Sequence, residues 1–254
     1  MALFVDGPVS SIEDLAAQDS QLLEVASTEG IDLGRKLAAA QDDLAVELTV
    51  LLNRLRSVDQ AFGTAANPGP EYVVVTPALK LWHTYLSLEM VYRDAYSNQL
   101  NDRYAGKRDQ FHQMAQWANE KFIQIGVGLT AHPVPRAATP QVTEIPGALA
   151  DGTYYVSTAW VNGGGEEGAS ATPAAITIAN SALQVQTETA PPRAVGWNVF
   201  IGEAPESLVL QNSSPIAAGQ TWQQGTPPAT AGRAPGTGQQ PTYLKPIPRL
   251  IQRG

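Results

Sequence analysis

The side chains best suited to catalysis or metal binding are three histidines, His83, His112 and His132. A metal or catalytic site would require carboxylates that converge on them, and the chain contains no H-E-x-x-H spacing. The chain also has no cysteine, which excludes thiol nucleophiles and thiolate metal sites. We therefore interpret the histidines as surface or interface residues, and we predict no catalytic residue, no metal site and no cofactor.

A glycine-rich turn carries the neighbouring carboxylates Glu166 and Glu167. Together with Asp151 they could contribute to a calcium site, but Ca²⁺ takes about six to eight oxygen ligands and no D-x-D-x-D loop is present. A solvated hairpin tip is the favoured interpretation. The triglycine at 163–165 lacks the following helix and Lys-Ser/Thr of a phosphate loop, and no G-x-S-x-G elbow occurs. These absences predict that the protein is not an enzyme.

Charge is unevenly distributed along the 254 residues, whose formal net charge is −8. No acidic residue occurs from Gly225 onward, where Arg233, Lys245, Arg249 and Arg253 give a charge of +4. The acidic remainder would repel nucleic acid and anionic lipid. The N-terminus lacks a basic, apolar signal sequence, and no run approaches the roughly 20 apolar residues of a membrane span. We expect synthesis in the cytoplasm and no membrane association.

The first half of the chain has helical periodicity. Ser10 and Glu13 fit a capping box, and leucines spaced by three, four or seven residues predict a helix from Asp32 to Arg56. Thr76 followed by Pro77 begins the next helix, which we expect to break near Asn101 and Asp102, and the last helix ends at Gly126. Residues 1–127 therefore form a predicted helical domain.

The second half changes to short alternating runs separated by turn residues. Prolines make residues 128–140 a stiff linker, and residues 141–224 form a predicted β-sandwich. Residues 225–254 form an extended C-terminal arm. The overall prediction is an α+β multi-domain protein with a helical bundle, a sandwich and an arm. The strands that predict the sandwich are 153–162, 175–178, 182–187, 196–201 and 208–211.

Two strand sequences resemble fibronectin type III domains. The run from Tyr154 to Asn162, followed by a Gly/Glu/Ser turn, resembles the penultimate strand and final hairpin of that family. The run from Gly196 to Gly202 with Leu208–Gln211 resembles its middle strands. The two pieces occur here in the opposite order, which implies a rotated version of the sandwich or an Ig-like relative.

The helical half resembles head-to-tail connector (adaptor) proteins of tailed bacteriophages, on the stretches Leu79–Met90 and Asn101–Ala118. That resemblance implies a ring of copies, a dodecamer, beneath a portal protein in the neck of the virion. It also implies contact with a tail or stopper protein, and genomic DNA that passes through without sequence-specific binding. The C-terminal arm is similar to the portal-docking arm of that family in its basic, proline-rich composition. We predict that it binds a partner through Tyr243, Leu244, Lys245, Pro246, Ile247, Pro248, Arg249, Leu250 and Ile251.

Aromatic residues are more numerous on the predicted helices than a small bundle can bury. Surplus aromatic surface is typical of subunit interfaces, and we predict that Trp82, Tyr96 and Trp117 contact a neighbouring subunit. The basic residues Arg103, Lys107 and Arg108 could line a DNA channel. Pairing with Asp102, Asp109 and Glu120 is favoured, because a channel through which DNA slides should not grip phosphate.

An alternative function is a carbohydrate-binding or host-surface adhesion module. Trp160, Trp197 and Trp222 support it, since sugars stack on exposed aromatic faces. Tryptophans at alternating strand positions are more often part of the core, so the sequence leaves both interpretations open.

Overall fold

In the part of the chain that the structure describes, five α-helices combine with a set of antiparallel strands, and the protein is an α+β protein. A computed structural model describes residues 2–55, 69–99, 102–224, 226–236 and 238–245. The described residues cluster into two compact units. The helical unit comprises residues 7–55, 69–99, 102–129 and 241–245, and the sheet unit comprises residues 2–6, 130–224, 226–236 and 238–240.

Two short helices begin the helical unit. Helix α1 (Ile12–Gln18) has Ser11 as its N-cap, and Ser11 and Asp14 form the capping box, one residue later than the predicted Ser10 and Glu13. Ser10 instead lies buried, with its hydroxyl 2.9 Å from the Thr84 hydroxyl. Helix α2 (Leu22–Glu29) ends at a left-handed glycine, a common helix C-terminus.

Three long helices follow, and the middle one lies at the centre of the unit. Helix α3 is Leu33–Leu55, α4 is Pro77–Gln99 and α5 is Ala105–Ile125. The Thr76 hydroxyl accepts a hydrogen bond from the Leu79 N–H, which confirms the predicted start of α4. Because α4 packs against each of the other helices, its buried residues lie on several faces rather than on one stripe. Arg56 and Asn101, named in the predicted boundaries, lie outside the described residues.

A two-stranded sheet joins the end of α5 to the C-terminal part of the chain. Strand β1 (Val127–Leu129) pairs with β10 (Thr242–Leu244) in antiparallel register. Gly126, which ends α5 as predicted, has φ +104°, and a Cβ there would lie 2.8 Å from the Leu244 carbonyl oxygen. This position therefore requires glycine for its backbone angle and for the close approach of β10.

Within its described residues, the sheet unit contains two antiparallel sheets. Their strands are β2 (Gln141–Pro146), β3 (Gly152–Asn162), β4 (Ala174–Ile178), β5 (Ser181–Gln186), β6 (Ala194–Gly202), β7 (Val209–Leu210), β8 (Ile216–Ala217) and β9 (Trp222–Gln224). Three strands pair in the order β2-β5-β9, and the other sheet has the order β4-β3-β6-β7, with β8 also pairing with β6. All five strands predicted from the sequence are present, although their ends differ by up to two residues.

One apolar core takes side chains from both sheets. Trp160 on β3 and Trp197 on β6 are almost completely buried in it, together with Leu183 and Val185 of β5. Each tryptophan faces the other across the ladder, since residues 160 and 197 are direct partners in the β3–β6 register. Alternation along these strands places apolar residues inward, as the sequence pattern predicts.

Residues 130–140 differ from the stiff linker predicted for 128–140. Val134 and Ala137 are buried in the core of the sheet unit, and the Ala137 N–H donates to the Ala169 carbonyl. Residues 128 and 129 belong to β1. The prolines of this segment favour extended backbone. Its apolar side chains Val134 and Ala137 pack in the core of the sheet unit.

Much of the predicted arm is also part of the sheet unit. The Leu210 N–H donates to the Arg233 carbonyl, and the Arg233 guanidinium binds Glu167 through two bonds of 3.1 and 2.7 Å. Glu167 is 8% exposed and also accepts from the Asn198 side chain and the Gly236 N–H. The prediction of a solvated hairpin tip is therefore wrong for Glu167, because this carboxylate anchors residues 233–236.

Glu167→Gln should destabilise the sheet unit by about 2–3 kcal/mol, because a neutral amide cannot accept from all of these donors. Urea unfolding measures this loss, and trypsin should cleave after Arg233 faster in the variant. The matched control is Glu188→Gln, at an exposed position of the same unit. Equal cleavage rates in both variants would show that Glu167 does not hold this segment.

Candidate functional site: interaction surfaces and buried polar clusters

The three histidines have different environments. His83 is completely buried, and its Nε2 lies 3.0 Å from the Leu37 carbonyl oxygen, so Nε2 carries the proton and donates. Burial lowers the pKa of His83, which keeps the ring neutral. The exposed His112 lies 2.9 Å from Glu89, and His132 contributes its backbone carbonyl as an acceptor. Within the described residues, no cluster of three or more metal-ligating side chains occurs.

A cluster of titratable side chains joins the end of α1 to α4 and α5. Asp19, 5% exposed, accepts hydrogen bonds from the Tyr92 hydroxyl at 2.6 Å, from Lys107 Nζ at 2.9 Å and from the Gln21 N–H at 3.1 Å. Burial alone would raise the pKa of Asp19, but these hydrogen bonds and the Lys107 charge outweigh it and lower the pKa. Burial and the Asp19 carboxylate raise the pKa of Tyr92.

This cluster borders a polar cavity of about 160 Å³ between α2, α4 and α5. At its other side the Tyr104 hydroxyl donates to Glu29 at 2.9 Å. Tyr92, Tyr104 and Lys107 line this cavity, and each donates a hydrogen bond to Asp19 or Glu29 beside it. Its chemistry is that of a structural clamp, and Lys107 pairs here with Asp19 rather than with the neighbours predicted from helical spacing. The predicted pair of Arg108 and Asp109 is present at 2.8 Å.

An apolar groove lies between α3 and α5, with α4 as its floor. Trp82 lies on the floor, Val46 and Val50 line the α3 side, and Ile123 lines the α5 side. These three aliphatic side chains are 63%, 40% and 42% exposed, whereas Trp82 is 7% exposed. The main cavity of the groove measures about 300 Å³, and a narrower one beside Val50 measures about 70 Å³.

The three aromatic residues predicted at a subunit interface have different environments. Trp82 packs on Phe122, with ring centroids 5.4 Å apart, and is mainly a core residue. Tyr96 is half-buried beneath the Arg108 guanidinium, which lies 4.4 Å from the ring centroid. Trp117 is 47% exposed on α5, and Ile125 is 44% exposed on the same helix. Trp117 is thus the one of the three with a large free surface in a single chain.

The described part of the predicted partner-binding arm lies on the helical unit. Tyr243 and Leu244 belong to β10, and Tyr243 is 44% exposed. Lys245 follows as an exposed residue. The predicted arm residues Pro246, Ile247, Pro248, Arg249, Leu250 and Ile251 lie outside the described residues.

The tryptophans predicted to contact sugars do not form an exposed platform. Trp160 and Trp197 are buried in the core, and Trp222 packs partly buried against it. A cavity of about 400 Å³ lies elsewhere in the sheet unit, beside Tyr154, Ile201 and the prolines 227 and 228. Its lining also includes the polar side chains of Glu203, Ser207 and Thr230.

The sequence analysis did not predict that Asp19 connects segments of the helical unit, or that Glu167 connects segments of the sheet unit. A signal existed for Asp19, because an acidic residue directly after a helix is disfavoured by the helix dipole unless it has partners elsewhere. No such local signal marks Glu167, since Arg233 is 66 residues away along the chain.

Comparisons with known proteins identify no relative of this chain. No family model, no curated protein and no solved structure matches it. In the described part of the chain, every helix is too short or too polar to cross a membrane.

Asp19→Asn should lower the free energy of unfolding by about 2 kcal/mol at neutral pH, since it removes the charged acceptor of Tyr92 and Lys107. Because the folded pKa of Asp19 is depressed, its contribution is present above the unfolded value of about 3.9 and is lost as pH falls through the folded pKa. The stability difference between wild type and variant should therefore shrink at acidic pH. Chemical denaturation across pH 2–7 measures it.

Asp42→Asn, at an exposed position on α3, is the matched control and should change stability little at any pH. If the difference in unfolding free energy between wild type and Asp19→Asn stays constant with pH, the charge of Asp19 does not stabilise the helical unit.

Proposed function

We propose that this chain is a virion structural protein, a head-to-tail adaptor that forms a ring under the portal of a tailed bacteriophage. The observation that carries the proposal is the β1–β10 pairing, which returns the C-terminal part of the chain to the helical unit. One unit then provides both the surfaces for ring contacts and the start of a basic segment that binds a partner. This combination, together with the resemblance of the helices to phage connector proteins, supports a role in assembly over a catalytic role.

Ring formation in this proposal uses two different surfaces of the helical unit. Trp117 and Ile125 give α5 an exposed apolar surface, and the groove between α3 and α5 gives another. A closed ring needs such a head-to-tail contact between unlike surfaces. The number of subunits, a dodecamer by resemblance, is part of the same proposal.

The segment after Lys245 connects the ring to the portal or to a tail or stopper protein. It is basic and rich in proline, and it suits binding as an extended chain on a partner surface. DNA passes through the ring without sequence-specific contact, in keeping with an acidic protein in which Lys36, Lys80, Lys107, Arg108 and Arg233 pair with carboxylates. The protein acts in the neck of the virion and catalyses no reaction.

The sheet unit, in this proposal, is an Ig-like sandwich related to fibronectin type III domains. In such sandwiches the last two strands and a middle strand pair in the order C-F-G. Here β6, β3 and β4, which resemble the middle, penultimate and final strands, pair in that same spatial order. The strand pairing supports the rotated version of the fold that the sequence order implies.

Native mass spectrometry and electron microscopy of the full chain, alone and with the portal protein of the same genome, test the proposed function. We expect a closed ring and a complex with the portal. A chain that stays monomeric in both preparations would contradict the proposal.

Trp117→Arg should weaken ring assembly about tenfold or more without lowering the melting temperature, because a large exposed aromatic residue is a typical interface hot spot. Val195→Arg is the matched control, since Val195 is 58% exposed on the sheet unit and should not affect assembly. Sedimentation at a series of concentrations measures both variants. Unchanged assembly of Trp117→Arg would remove this residue from the interface.

A further inference from the structure

An apolar groove with carboxylates along one wall lies between α3 and α5. Its exposed aliphatic side chains are Val46, Val50 and Ile123, and Asp43 and Glu47 line its α3 wall. Among the described residues, no lysine or arginine lines it. Exposed aliphatic side chains beside carboxylates favour an occupant that is both apolar and basic.

Strand β10 brings the chain's own C-terminal segment to the end of this groove. Lys245 follows β10 and lies beside Gly126, the residue that ends α5, since its Cγ is 3.0 Å from the position that a Cβ on Gly126 would take. Ile123 lies only three residues before Gly126, or about 4.5 Å along the helix. So short a tether gives an effective concentration on the order of millimolar, which favours the same chain over a second copy.

The direction of β10 and the dimensions of the groove suit the same arrangement. Strand β1 leads away from the end of α5, and β10, which is antiparallel to it, leads back to that end. Asn119 and Glu47 line the groove together, about 10 Å along α5 from Gly126. An extended chain covers that distance in about three residues. Counted from Lys245, this brings Arg249 within reach of Glu47.

We propose that, in the free chain, this groove holds the chain's own C-terminal segment, residues 246–254. The segment has no acidic side chain, and its aliphatic and basic residues are Ile247, Arg249, Leu250, Ile251 and Arg253. The aliphatic side chains pack on the groove lining, and the arginines pair with Asp43 and Glu47. Prolines at 246 and 248 favour extended backbone and lower the entropy lost on binding.

The charge of the segment favours the groove over the other side of α5. Each helical residue turns the chain by about 100°, so Lys121 lies about 160° around α5 from Ile123. Lys121 and the exposed Trp117 belong to that other side, where the arginines of the segment would meet a lysine. The groove instead offers two carboxylates.

This contact regulates assembly, a consequence that rests on the proposed function. There the groove is one of the two surfaces for ring contacts, and the same C-terminal segment binds the portal or a tail partner. The segment cannot lie in the groove and on a partner at once. A free chain therefore has one of its ring surfaces covered, and binding of the segment to the portal exposes that surface. Rings then form at the portal in preference to free solution.

Disulfide trapping tests the groove contact without background, because the full chain has no cysteine. Chains with Val50→Cys and Ile247→Cys are oxidised mildly, and mass spectrometry of a digest counts the cross-linked peptides. The matched control carries Thr49→Cys in place of Val50→Cys, at an exposed α3 position that does not line the groove. We expect trapping about tenfold faster with Val50→Cys, because a disulfide requires Cα atoms within about 7 Å. Equal rates would overturn the inference.

A mixture of ¹⁵N-labelled and unlabelled chains of this double variant shows which chain supplies the segment. We expect each cross-linked peptide pair to carry a single label. Pairs that combine the two labels in the statistical ratio would mean that a second copy occupies the groove, and the inference would be wrong.

A charge exchange tests the pairing of Arg249 with Glu47. In the double-cysteine chain, Glu47→Lys should slow trapping about fivefold, and the further change Arg249→Glu should restore the rate. If the rate is not restored, the proposed pairing is wrong.

Sedimentation of full-length chains without the portal tests the regulation. Arg249→Glu should assemble at a concentration about fivefold lower than wild type, because the groove is open more often. The control is Arg35→Glu, at an exposed position in the first turn of α3 outside the groove. Its added negative charge increases repulsion between copies and should not lower that concentration.

A concentration that does not fall in Arg249→Glu would overturn the regulation, even if rings form at the portal as the proposed function requires. Trapping within single chains, in a protein that forms no ring with the portal, would instead contradict the proposed function and leave the groove contact standing.

Discussion

The pairing of β1 with β10 is the constraint on which the arrangement of the chain depends. The chain leaves the helical unit after Leu129, builds the sheet unit, and returns at residue 241 to pair with the strand from which it left. Along the sequence, the sheet unit is therefore an insertion between two parts of the helical unit. The close approach of Leu244 to Gly126 makes this return possible only where α5 ends in a glycine. The C-terminal segment then starts from the helical unit.

Each unit depends on one buried carboxylate that holds distant segments together. Asp19 connects the end of α1 to α4 and α5, and Glu167 connects a strand hairpin to residues 233–236. In both cases hydrogen bonds from several donors offset the cost of burying the charge. These two carboxylates fix loops and connections that contribute few apolar side chains to the cores.

Elements with local periodicity could be predicted from the sequence, and elements that depend on distant partners could not. Leucines at regular spacing predict α3, and Thr76 with Pro77 predicts the start of α4, because both signals lie within the element itself. Strands β1 and β10 have only three residues each, and their pairing depends on a contact between positions more than 110 residues apart. The same reason explains why Glu167 could not be assigned to Arg233. The groove between α3 and α5 could not be predicted either. In the sequence, Val46 and Val50 have the pattern of ordinary surface positions, and only the placement of α5 beside α3 makes them line a groove.

The claim that the C-terminal chain is anchored to the helical unit is tested most directly by hydrogen exchange of the full chain. Peptic peptides that cover residues 241–245 and 126–130 would be compared with a peptide from an exposed turn. The β1–β10 ladder predicts slow amide exchange in both peptides, and it predicts that Gly126→Val accelerates exchange in both. Exchange of residues 241–245 at the rate of an unstructured peptide would contradict the anchoring, and with it the origin proposed here for the partner-binding segment.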